Sequence, residues 1–168
     1  TCADLPIAPI NNKKQIRIAE TEKFAHVTFF FNSQLDKPNK NEVRIPINSP
    51  RCADYSEKPE MSALKVTTKL ITQIKTGKFH FIALNFANGD LVGHSGNLKA
   101  AIQACNIVDK CIGKIVKEAL KKESINIFYV DCTPVSGFNR YFHTKLKSHG
   151  INIYSSQDSN YSEIKKRI

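Results

Sequence analysis

Apolar residues along the chain cluster into short strand-like runs and longer helix-like stretches. Gln15–Glu20 (QIRIAE) and Glu42–Ile47 (EVRIPI) read as strands. Residues 60–75 read as a helix, with Ala63, Val66, Leu70, Ile71 and Ile74 on one face and Gly77 placed to end it. FHFIALNF (79–86) follows as a fully buried strand. The longest helix is expected from 97 to about 122, with Leu98, Ala101, Ile102, Cys105, Val108, Ile112, Ile115, Val116 and Ala119 at its 3.6-residue period. INIFYV (125–130) and INIY (151–154) read as further strands, and residues 160–168 as a short terminal helix. Residues 32–42 carry the Pro, Asn and Lys content of an exposed loop. No internal repeat interrupts this order. Near-continuous apolar strands joined by helices imply an α/β fold, a three-layer, mostly parallel sheet with helices on both faces.

In such sheets, ligands bind beyond the carboxyl ends of the strands. The stretch FIALNFANGDLVGHSGN (81–97) turns there from apolar to polar and presents Asp90, His94 and Asn97. Asp131 ends the strand-like run 125–130 in the same way. If the two strand ends share a side, Asp90, His94 and Asp131 converge into a site for zinc or manganese. The plainer alternative stays open: an Asp at a strand end caps the next helix, Asn97 caps the long helix, and a single His near a turn lies on the surface.

Composition narrows the class. The chain has 168 residues, 41% hydrophobic and 24% charged, which suits one soluble globular domain. No apolar run approaches the roughly 20 residues of a bilayer span, and no secretory signal is visible. The first residue is Thr1 rather than Met, compatible with a processed or excerpted chain. Five cysteines without a C-x-x-C pair argue against a disulfide framework or zinc knuckle. Cys105 and Cys111 are expected to be buried thiols. A reducing, intracellular location follows, cytoplasm or an organelle such as the mitochondrion.

The net charge of +10 favours polyanions: phosphorylated metabolites, nucleic acid or an acidic protein neighbour. Lys110, Lys114, Lys117 and Lys121 recur at helical spacing and form one outward stripe. That stripe is either a contact for RNA or an acidic subunit, or a solvated face whose lysines complement the helix dipole. No aromatics interleave with it, which weakens a single-strand-binding reading. KKRI (165–168) adds a second small basic cluster. Phe29, Phe30 and Phe31 are expected in the core, with a partner-covered patch as the alternative.

Three blocks carry a family resemblance: RIAETEKFAHVTFFFN (17–32), KPEMSA (58–63) and LNFANGDLVGHSGNLKAAI (84–102). In that order they closely resemble the cofactor-independent phosphoglycerate mutases of the alkaline phosphatase superfamily. ADLPIA (3–8) is similar to the segment that re-enters the family's phosphatase domain. The resemblance covers about residues 3–131 and leaves 132–168 divergent, so the chain reads as a single truncated phosphatase-like domain over 1–168. It implies an alkaline-phosphatase-like fold and chemistry with two manganese or magnesium ions and a serine nucleophile. Two ions suit in-line phosphoryl transfer because they activate the nucleophile and neutralise developing charge.

By that resemblance, Asp90 and His94 match two ligands of one metal, and His143 a later histidine of the same site. Lys23 matches a lysine that helps to hold the phosphoryl group. Asp131 matches the aspartate of an Asp-His pair at the second metal. Cys132 stands where that pair has its histidine, and thiolate is a poor ligand for manganese or magnesium. The family's first metal-binding aspartate, its nucleophilic serine and its phosphoglycerate-binding domain belong to segments that precede the matched portion. Between Ile10 and Lys13 a family helix is largely missing, and no family pattern follows His143. The expectation is therefore a degenerate mutase-like domain, non-catalytic by itself, acting as a structural or binding subunit of a larger assembly. The alternative is the C-terminal piece of an active manganese-dependent mutase that interconverts 3- and 2-phosphoglycerate.

Overall fold

The computed structural model describes residues 13–121. Three strands form a parallel sheet in the order β2-β1-β3 among these residues: β1 (Gln15–Glu20), β2 (Glu42–Ile47) and β3 (Phe81–Asn85). Ile18 of β1 pairs with Ile45 of β2 and with Leu84 of β3, so the three carboxyl ends finish on one edge. A short turn (Thr21–Lys23) and α1 (Phe24–Val27) follow β1 directly. Helix α2 (Ala63–Thr76) carries the chain from β2 to β3. The brief α3 (Asn88–Gly93) and the long α4 (Leu98–Ala119) come last.

Alternation along β1 creates two cores. Ile16 and Ile18 point to one face and pack on Val66, Leu70 and Ile74 of α2, with Ile115 of α4 at the margin. Ala19 points to the other face and packs with Val27 and Ala83, flanked by Phe24, Phe31 and Phe81. Helices thus cover both faces, as the apolar runs predict. Pro46 lies on β2, an outer strand among the described residues, where its missing N–H breaks no central ladder.

Both β1 and β2 occupy the predicted spans, and the other elements depart from theirs in informative ways. Helix α2 begins at Ala63 rather than 60, because residues 59–62 form a turn in which Met61 takes φ +44°. Gly77 ends it in the left-handed conformation, φ +65°, which favours glycine. Strand β3 is half-buried except at Ala83, not fully buried, because it is an edge strand among the described residues. The glycine-rich stretch after β3 winds into α3 instead of an open turn.

Helix α4 buries a different stripe from the expected one in its first half. Ala100 and Ala104 are buried, whereas Leu98 and Ile102 are 74% and 54% exposed. Small residues face the neighbouring Ala87 and Val92 of the α3 segment, and the close approach turns the bulkier side chains outward. Cys111 is buried as expected, but Cys105 is half-buried. Phe31 packs against Phe81, while Phe30 is 48% exposed, so the three phenylalanines are not all core. The strands expected at 125–130 and 151–154 and the helix at 160–168 lie outside the described residues. Among those described, no helix is long and apolar enough to cross a membrane.

Candidate metal and phosphoryl site

Two strand ends build the site. Lys23 lies three residues beyond β1, and Asp90 lies five beyond β3, in the first turn of α3. Since β1 and β3 are parallel neighbours, their carboxyl ends bring these side chains together across 67 positions of sequence. The Lys23 ammonium donates a hydrogen bond to Asp90 Oδ2. One helical turn on, His94 Nε2 lies 3.2 Å from Asp90 Oδ1. The hydrogen bond from Lys23 holds the Asp90 carboxyl below its ordinary range; partial burial opposes this, and the charges of Lys23 and His94 assist.

His26 joins this neighbourhood and was not singled out by sequence reasoning. It sits three residues after Lys23, with its ring 5.5 Å from that of Phe30. Desolvation lowers its imidazole below the ordinary value, Lys23 adds to the effect and Asp90 counters it. The spacing from Lys23 was the available signal, but it does not reveal which way the turn carries the ring.

The turn at 59–62 acts as a clasp between the end of β1 and the start of α3. Glu20, fully buried at the end of β1, accepts at Oε1 from the Ser62 N–H at 3.0 Å. Ser62 Oγ donates to the Asn48 carbonyl at 2.8 Å, beyond the end of β2. From the other side, Asn88 Nδ2 donates to the Pro59 carbonyl at 2.8 Å and fixes the start of α3. Asn97 Oδ1 accepts from the Ala100 N–H at 3.1 Å, which confirms the predicted cap of α4.

Burial raises the Glu20 carboxyl above its ordinary value of 4.5, and the Ser62 N–H only partly offsets this. A raised folded-state value means that the stability Glu20 contributes is fully present below about pH 4.5 and is lost as pH rises through the raised value. Glu20→Gln keeps an acceptor for Ser62 without a charge to desolvate. It is expected to stabilise the fold by about 1 kcal/mol at pH 7 and by nearly nothing at pH 4. Thermal melts at the two pH values check this; an equal effect at both would remove the titration argument.

Asp90 and His94 suit a divalent cation in part. Two donors bound at right angles to an ion at about 2.1 Å stand about 3 Å apart, close to the 3.2 Å seen here. One carboxylate oxygen and one imidazole nitrogen suit manganese or zinc better than magnesium. Among the described residues no group of three such donors forms, so a full ligand set needs donors from beyond them. The expected third ligand His143, and Asp131 and Cys132 of the second position, lie outside the described residues.

The lysine stripe lies elsewhere. Lys110, Lys114 and Lys117 line a groove between α4 and the start of α2. Lys121 is paired with Glu118 at 2.8 Å and is not among the residues that line it.

Comparison with known proteins agrees with this fold. A profile of the metalloenzyme superfamily matches residues 5–135. The 2,3-bisphosphoglycerate-independent phosphoglycerate mutase of Clostridium acetobutylicum is 45% identical over 161 residues, 94% of this chain and 32% of that protein. Its counterpart in Clostridium botulinum is 50% identical over 121 residues, 72% of this chain and 24% of that protein. A crystal structure of Leishmania mexicana phosphoglycerate mutase at low cobalt concentration superposes with a TM-score of 0.61 at 34% identity. It covers 63% of this chain and 20% of the other. The chain thus spans between a quarter and a third of the length of these curated relatives. With more than half of its length matched by the profile, the chain belongs to the metalloenzyme superfamily and has the independent phosphoglycerate mutases among its relatives.

Proposed function

We propose that this chain carries part of the metal- and phosphoryl-holding machinery of a phosphoglycerate mutase-like enzyme. Asp90 and His94 hold one divalent cation, with manganese better suited than magnesium to this donor pair, and Lys23 faces the phosphoryl group. The observation that carries the reading is the meeting of Lys23, Asp90 and His94 at two adjacent parallel strand ends. A bound cation would draw charge from phosphoryl oxygens. Lys23, a compact cation already beside that position, would orient the group and balance its charge.

Phosphoryl transfer also needs a nucleophile and the remaining ligands. On this reading they come from polypeptide beyond the described residues, and His143 and Asp131 are candidates within this chain. The chain alone binds without turning over and serves as a binding or structural subunit of a larger assembly. A purely structural role is the second reading, and Cys132 in place of the expected histidine favours it.

Lys23→Ala is the test. The chain with Mn²⁺ is titrated with 3-phosphoglycerate by calorimetry, then assayed after mixing with the remaining portion of the Clostridium acetobutylicum mutase. Binding to the wild-type chain is expected to weaken about tenfold in Lys23→Ala. Turnover in the mixture is expected to drop about a hundredfold. Equal binding by both chains would refute the phosphoryl role of Lys23, and turnover by this chain alone would refute the need for completion.

A further inference from the structure

The groove on α4 has a geometry that a solvated lysine face does not require. Its α4 wall includes Lys110, Gly113, Lys114 and Lys117. These positions stand at i, i+3, i+4 and i+7, the four corners of a socket that receives one side chain from a facing helix. One corner is vacant among the described residues: none of their atoms lies within 4 Å of where a Cβ on Gly113 would be. The floor is apolar, formed by Ile107 and by Leu64 of α2, which is 52% exposed. The groove is open, with a volume of about 520 Å³, and begins at Ile107, about 14 Å along α4 from its Leu98 end and well away from Asp90 and His94.

We propose that this groove docks an acidic amphipathic helix of another polypeptide. Among the described residues, three lysines rim the groove against the one carboxylate of Glu60, so the occupant carries acids. The leucine and isoleucine floor calls for an apolar side chain between those acids. Lys110 to Lys117 spans about 10 Å, two turns of a partner helix. Nucleic acid fits less well, because no aromatic side chain among the described residues lines the groove for base stacking. The partner's knob enters the Gly113 corner, and its flanking carboxylates meet Lys110, Lys114 and Lys117. This site is separate from Lys23 and Asp90, so its fate does not depend on the mutase-like reading.

The probe is a capped, fluorescein-labelled helical peptide in which one leucine is flanked by glutamates at i−4, i+3 and i+4. Its binding to the full chain is followed by anisotropy, beside a peptide of the same composition in scrambled order. Binding is expected to weaken about tenfold in Lys114→Glu/Lys117→Glu, in Gly113→Leu and for the scrambled peptide. Gly113 is exposed and open, so leucine there fills the socket while leaving the helix intact, which circular dichroism verifies. Two results would overturn the proposal: equal binding of the scrambled peptide, or Gly113→Leu binding as well as wild type, because both reduce the groove to non-specific charge. Tighter binding of an oligouridine RNA than of the peptide, lost on the same lysine reversal, would overturn it in favour of nucleic acid.

Discussion

Arg17→Ala is expected to destabilise the protein by about 3 kcal/mol or more, whereas Arg17→Met should fall within about 1 kcal/mol of wild type. Arg17 is fully buried in the central strand β1. Its guanidinium carbon lies 4.3 Å from the ring centroid of Phe31 and 5.0 Å from that of Phe81. Nη2 donates to Gln15 Oε1 at 2.6 Å, while Nε and Nη1 find no partner among the described residues. Desolvation pushes this arginine down to about 10, because burial disfavours its charged form.

Alanine would remove the filling between two aromatic rings and the positive charge that faces Glu42. Methionine would keep most of the volume and shed the desolvation cost. Burial raises the Glu42 carboxyl, but hydrogen bonds from Arg44, Asn32 and the Asn39 N–H together bring it below its ordinary value, so Glu42 keeps its own support. Urea unfolding of the two variants distinguishes packing from charge. A methionine variant as unstable as the alanine one would show that the guanidinium itself holds this face together.

Asp90→Ala is expected to weaken Mn²⁺ binding about a hundredfold or more while changing stability by less than about 1 kcal/mol. Both parts follow from geometry. Asp90 is half-exposed and its ion pair with Lys23 reaches water, so the pair contributes little to folding. Yet its carboxylate supplies the hard oxygen beside His94 Nε2. Lys23→Met should move metal affinity the opposite way, since it removes a cation that competes for the same carboxylate. Mn²⁺ titrations followed by electron paramagnetic resonance, with melts run in parallel, separate binding from folding. Unchanged Mn²⁺ affinity in Asp90→Ala would place any cation elsewhere in the chain.

Periodicity located β1 and β2 to the residue, since strand patterns depend on neighbours two positions apart. The proximity of Asp90 and His94 was legible because an i, i+4 pair is local. The stripe buried by α4 was not legible: Leu98 and Ile102 outrank Ala100 and Ala104 in hydrophobicity, yet close packing against Ala87 and Val92 selects the small residues. Likewise, nothing in the spacing of Glu20, Ser62, Pro59 and Asn88 announces that one turn clasps two elements.

The α/β class, the spans of β1 and β2 and the helix cap at Asn97 could all be read from the amino-acid order. Those properties rest on local backbone preference and side-chain chemistry, which neighbours in sequence dictate. It took the folded chain to bring Lys23 to Asp90, to set His26 beside them, and to gather three of the four lysines in a groove with Leu64. These contacts join residues far apart in the chain. Sheet order and helix packing set their distances, and both are properties of the whole core rather than of any one segment.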